Sequence, residues 1–127
     1  MSMSGAVSVE DEARKRESAG QPTVILQMDF APPPYPPPGA ARNALLLGLA
    51  HSIAKETPGL LWKIWTEDAA VGRAGGLYAF TNRADAVVYQ AMHTARVATR
   101  GATDIRAVLW DVNEELSAIT RDVFGGD

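Results

Sequence analysis

"PGLLWKIWTED", residues 58–68, sets two tryptophans three positions apart around a lysine and an isoleucine. Pro58 and Gly59 end whatever precedes them, and Leu60 to Glu67 reads as a strand. Side chains on a strand alternate, so Leu60, Trp62 and Ile64 are expected on one face and Leu61 and Trp65 on the other. A sheet wetted on one side shows clean apolar/polar alternation. This strand does not, so the sheet it joins is expected to be covered front and back.

The flanking segments supply the rest of that sheet. Upstream, Val24, Leu26, Met28 and Phe30 alternate with Thr23, Ile25, Gln27 and Asp29, which predicts a first strand. Residues 31–39, "APPPYPPPG", contain six prolines and cannot join a ladder or a helix interior. They are read as an extended connector or stiff lid, with a ligand for SH3- or WW-type modules as the alternative. Ala40 to Glu56 predicts a helix whose apolar stripe is Leu46, Leu49, Ala50 and Ile53. His51 lies on the opposite side with Gly48, Ser52 and Lys55, the place of a solvated histidine. Past "DAAVGRAGG", Gly76 to Thr81 predicts a third strand. Arg83 to Thr99 predicts a helix capped by Thr81 or Asn82 and closed by Gly101. Asp104 to Val112 completes the strands, and "NEELSAITRDVF" is a short terminal helix with Asn113 as cap.

The order β-α-β-β-α-β is the ferredoxin-like α+β arrangement, and right-handed crossovers put both helices on one face of a four-stranded antiparallel sheet. Residues 1–21 are polar and charged and are expected to form a disordered tail; 22–121 form a single domain with the Pro-rich loop 31–39, and 122–127 a C-terminal tail. Strand three sets Leu77 and Ala79 against Tyr78 and Phe80. Strand four sets Ile105, Ala107 and Leu109 against Val108, Trp110 and Val112. Trp65, Tyr78, Phe80 and Trp110 are assigned to the face without helices, with Lys63 and Arg106 at its rim. Such a patch exceeds what a monomer leaves in water. A second copy is the simplest cover, which predicts a homodimer with face-to-face sheets, an α+β barrel. Ala79 and Ala107 are assigned beneath the helices, where small side chains permit close packing or leave a cavity lined by Trp62.

Totals narrow the function classes. The 127 residues suffice for one core, and 12 basic against 15 acidic residues leave a net charge of −3, with no electrostatic footprint for nucleic acid. Cysteine is absent, which rules out disulfides, thiolate ligands and a cysteine nucleophile. No apolar run approaches the roughly 20 residues a bilayer span needs, and the first residues lack the apolar core of a signal peptide. A cytoplasmic protein with no membrane partner is expected. Two histidines on different helices, without carboxylates at ligand spacing, give no metal constellation.

The second helix carries two apolar stripes: Ala84, Val88, Ala91, Ala95 and Ala98, or Ala86, Tyr89, His93 and Val97 with Arg96 at the edge. Periodicity does not choose between them. In the first case His93 is exposed and inert; in the second it points toward the sheet, where a histidine serves as general base or as a metal or haem ligand.

"PGLLWKIWTED", "AGGLYAFTN", "YQAMHTARV" and "LWDVNEELSAI" together resemble the YdhR-type monooxygenase family, in order and at similar spacing from about residue 22 to 120. The charged tail and Pro-rich loop depart from the pattern. So do Met92, Ala91 and Ala98, which stand where family members tend to be charged; this implies that the Tyr89/His93 stripe is inward. The resemblance implies the dimeric α+β barrel. It also implies kinship with antibiotic-biosynthesis monooxygenases, among them cofactor-free oxygenases of phenolic or anthrone-like compounds and haem-degrading enzymes, with ligands between sheet and helices. The implied function is a cofactor-independent monooxygenase of a small, planar, electron-rich aromatic, needing no cofactor. In it His93 is the base, Arg96 orients or stabilises the substrate anion, Trp62 stacks on the ring and Tyr89 donates a hydrogen bond. Trp65 and Tyr78 fall mainly to the dimer interface, and take over from Trp62 if the ligand lies between the sheets. A non-catalytic carrier of an aromatic ligand and a haem-binding barrel are the alternatives.

Overall fold

The computed structural model describes residues 21–125, so the tail expected over residues 1–21 lies outside it but for Gln21. The described elements are β1 (Val24–Ala31), α1 (Ala40–Glu56), β2 (Leu60–Asp68), a 3₁₀ turn (Ala69–Val71), β3 (Arg73–Phe80), α2 (Arg83–Thr99), β4 (Thr103–Asp111) and α3 (Glu114–Gly125). The last helix crosses the boundary drawn above at residue 121. Residues 32–37 of the Pro-rich loop have no regular structure. The sheet is antiparallel in the order β2-β3-β1-β4, the ferredoxin-like α+β fold that the sequence predicts.

Local chemistry explains the helix starts. Asn82 has extended backbone, and its Oδ1 accepts from Asp85 N at 2.8 Å while its Nδ2 donates to Asp85 Oδ2 at 2.8 Å. Of the two candidate caps it is therefore Asn82 that acts. Asn113 Oδ1 accepts from Leu116 N at 3.0 Å and starts α3.

The core lies between the sheet and α2. Val24, Leu26 and Met28 of β1 meet Tyr78 and Phe80 of β3 and Ala86 and Tyr89 of α2, with Leu60, Ala107 and Leu109 packed against them. Tyr78, Phe80, Leu26 and Met28 are fully buried, each worth roughly 1.5–3 kcal/mol. A smaller cluster of Phe30, Val97 and Ala102 closes the other end.

Register overturns part of the expected face assignment. Leu26 pairs with Tyr78 and with Leu109, so all three point toward the helices. Ile25 pairs with Ala79 and Trp110, which puts those on the open face. Tyr78 and Phe80 are thus under α2 rather than on the uncovered side, and Ala79 is not beneath the helices. In β2 the ladder slips between Leu60 and Trp62: Leu60 pairs with Phe80 and Trp62 with Ala79. This bulge flips the alternation, so Leu60 shares the helix side with Lys63 and Trp65, while Trp62 and Ile64 face outward. Trp62 and Lys63 were therefore assigned to the wrong sides, and so was Trp65. Trp110, Val108 and Arg106 lie on the open face as expected. That face stays apolar with changed membership: Trp62 is 43% exposed, Ile64 53% and Trp110 55%.

At Gly75 strand β3 runs close against β1. A Cβ there would collide with the backbone carbonyl oxygen of Met28, so only glycine lets β3 lie this close to β1.

Candidate functional site

α2 packs closely on the sheet, but α1 does not. Ile53 is the α1 residue that is fully buried; one and two turns earlier, Leu49, Ala50 and Leu46 face a cavity of about 690 Å³ instead of the sheet. Its floor is the helix-facing side of β2 and β3, with Lys63, Trp65, Ala74 and Gly75. Phe30, His93 and Val97 also line it, as do Pro32 and Tyr35 of the Pro-rich loop. The cavity therefore arises from the stand-off of α1 over the β2–β3 edge. Ala79 has no part in it, and Ala107 belongs to the close-packed core beneath α2.

α2 buries Ala86, Tyr89, His93 and Val97, so the tyrosine–histidine stripe is the inward one. Val88 of the alternative stripe is 68% exposed. The buried aromatics form one stack. Tyr89 lies on His93 with ring centroids 5.0 Å apart and planes 19° apart, Tyr78 lies 5.1 Å from Tyr89, and Phe30 meets the His93 ring edge-on at 6.5 Å.

Arg96, one turn beyond His93, governs the imidazole. Its Nε donates to His93 Nδ1 at 3.1 Å, Nη2 approaches the same nitrogen at 2.7 Å, and Nη2 also donates to Tyr89 Oη at 3.2 Å. Guanidinium can only donate, so His93 Nδ1 is an acceptor and the neutral ring carries its proton on Nε2. Burial, with the positive charges of Arg96, Lys63 and Arg100, pushes the His93 pKa down to about 3. His93 is consequently a neutral donor through Nε2 at ordinary pH, with its one lone pair engaged.

Burial raises the phenol pKa values of Tyr78 and Tyr89, so both stay protonated. Tyr78 Oη is buried with no hydrogen-bond partner among the described residues; Tyr89 is its polar neighbour, but the geometry falls short of a bond. Lys63 is the residue the sequence reading missed. Its Nζ sits 3.3 Å from the centre of the Trp65 ring and 4.8 Å from that of Tyr78. Burial, aided by Arg96, brings its pKa down to about 7. The signal was the strand bulge together with Gly76, which pairs with Trp65: a Cβ on Gly76 would stand 2.7 Å from Lys63 Cε.

Of the residues assigned a binding or catalytic role from sequence, His93 and Trp65 line the cavity. Tyr89, Tyr78 and Arg96 stand behind them in contact with His93 or with its stack. Trp62 is on the opposite face of the sheet. His51 is exposed. Among the described residues no group of three or more His, Asp or Glu side chains is arranged to hold a metal, and no helix is long and apolar enough to cross a membrane.

No curated protein matches the chain at a significant level. A family model does: the one described as "Putative mono-oxygenase ydhR" matches residues 25–123, nearly all of the fold just described, and the chain belongs to that family.

Proposed function

We propose that this protein is a cofactor-independent monooxygenase that oxidises a small, planar, electron-rich aromatic, of phenolic or anthrone type, in the cavity between α1, α2 and the sheet. The observation that carries this reading is the cavity itself: an aromatic-walled space of about 690 Å³, with proton-handling groups on its wall, in a chain of a mono-oxygenase family. Trp65 supplies a ring face for stacking, in the role first given to Trp62.

In such a reaction the substrate is the reductant. An activated CH₂ gives up its proton to the neutral amine of Lys63 on the cavity wall, and the resulting anion passes one electron to dioxygen. The radical pair joins through a new C–O bond to a hydroperoxide, and loss of water leaves a carbonyl. One oxygen atom ends in the product and one in water, and the four electrons come from the CH₂ carbon. The chain's share is to take that proton, exclude water, orient the ring and stabilise the oxyanion. His93 serves through its Nε2 proton, held in that tautomer by Arg96, so it stabilises negative charge and does not take the proton.

The working unit in this proposal is a homodimer joined through the open sheet face. Support comes from Trp62, Ile64, Val108 and Trp110, four large apolar side chains left exposed together on one face of the sheet. A carrier that binds the aromatic without oxidising it is the second reading, favoured by the engaged lone pair of His93.

Oxygen uptake with anthrone-type substrates, which carry the activated CH₂, tests the proposal, comparing wild type with Trp65→Ala and His93→Ala. Consumption that falls at least tenfold in both variants is expected. Saturable binding with no oxygen consumed by wild type would leave the carrier.

A further inference from the structure

We propose that Lys63 is the anion-receiving group of the cavity: the ligand bears an acidic oxygen, phenolic, enolic or carboxylic, that pairs with Lys63 Nζ while its ring lies along Trp65. This rests on the reading of the cavity as the ligand site and adds the chemical class of what enters it.

Strand register aims Lys63 inward, on the side of Tyr78, and the missing Cβ of Gly76 leaves the space that its stem crosses. The ammonium then lies on two aromatic rings and meets no carboxylate at ion-pair distance among the described residues. Apart from its own strand, the elements around it contribute neutral or positive groups. α2 brings His93, Tyr89 and Arg96, β3 brings Tyr78 and Arg73, α1 brings Arg42, and the Pro-rich loop brings Tyr35. Arg73 is already engaged by Asp29 and Asp104. The acid on the lining is Glu67, four residues along the same strand, which is about 13 Å at strand spacing and beyond pairing reach.

A partly buried cation without a counter-ion is costly, and chains rarely keep one unless something of opposite charge arrives. Tyr78 Oη, a second donor below Lys63, also has no acceptor. One oxyanion answers the first deficit and brings an acceptor toward the second. The depressed lysine pKa fits the same role: near neutrality the amine can take the proton of a weakly acidic hydroxyl, its lone pair forming the N–H bond as the O–H bond breaks, which leaves an ammonium beside an oxyanion. The bland alternative is a lysine whose stem covers aromatic surface while its head reaches water.

Binding measured without oxygen separates these cases. Calorimetric titration of the full chain with 2-naphthoate, 2-naphthol and 2-methoxynaphthalene is the test, on wild type, Lys63→Met and Lys63→Arg. Wild type is expected to prefer naphthoate over the methoxy compound by about tenfold at neutral pH. Lys63→Met is expected to bring the two within about twofold, while Lys63→Arg keeps the preference. Raising the pH from 7 toward 10 should weaken naphthoate binding to wild type and leave Lys63→Arg unchanged. The naphthol arm distinguishes a phenolic from a carboxylic ligand. A wild type that is blind to charge or binds neither probe, or a preference that survives in Lys63→Met, overturns the proposal. Charge-selective binding with no oxygen uptake would instead refute the oxygenase reading and leave this one standing.

Discussion

Replacing Lys63 by methionine should make the free protein more stable. The side chain lies between Trp65, Tyr78 and the floor glycine, and methionine of similar length can follow the same path. Lys63 titrates at about 7 in the fold against an ordinary 10.5. At 1.36 kcal/mol per tenfold, that difference bounds the cost of keeping the ammonium at about 5 kcal/mol. The ring contacts, lost in the variant, return about 1–2 kcal/mol. A net gain of about 1–4 kcal/mol is therefore expected, the range seen when buried charges are replaced by apolar side chains.

The sign with pH follows from linkage. Below about 7 the lysine is charged in both folded and unfolded chains, and the full penalty applies. Between about 7 and 10.5 the folded chain has released its proton and the unfolded chain has not, so the penalty shrinks as pH rises. Urea unfolding of both proteins at matched concentration, at about pH 6 and about pH 9, reads this directly. The advantage of the variant should be larger at pH 6, by up to about 3 kcal/mol. A variant less stable than wild type at pH 6, or an advantage independent of pH, would refute the reasoning.

Gly75→Ala drives a Cβ into the Met28 carbonyl on the neighbouring strand and should cost at least about 2 kcal/mol, read as a lowered urea midpoint; an unchanged midpoint would mean that the strands are not this close. Trp110→Asp puts a charge on the open sheet face beside Gln27 and should convert a dimer to a monomer by sedimentation, with the helix content by circular dichroism unchanged. Arg96→Met removes both the nearest cation and the donor on Nδ1, so the His93 pKa should rise from about 3 toward its ordinary 6.5, stopping short because burial and the charges of Lys63 and Arg100 persist; proton NMR of the ring follows it, and an immobile value would mean that Arg96 has no part in the depression.

Much of the fold was legible in order and spacing. The alternation of Val24 to Phe30, the i, i+3, i+4 stripe of α1 and the cap at Asn82 are local signals, written within a few residues of the structure they specify. α1 and α2 keep the limits that their periodicity and flanking residues predict, and the element order alone selects the antiparallel ferredoxin-like sheet. Apolar residues on both sides of the strands foretold a sheet that is greasy front and back, and the open face still shows Trp62, Ile64 and Trp110.

Strand phase was not local. Which side Trp62, Lys63 and Tyr78 face depends on how β2 and β3 pair with neighbours far away in the chain, and one slipped residue at Leu60–Trp62 inverts every side chain beyond it. The inward choice for His93 was equally beyond periodicity, because both stripes of α2 are apolar; packing of Tyr89 against Tyr78 and Phe80 decides it. The cavity exists because α1 stands off the sheet, and Lys63 stands on its floor because a bulge turned it inward. Sequence determined the elements and their order, since those follow from residues adjacent in the chain. Tertiary structure alone decided which side chains share a space, since that follows from contacts between residues distant in it.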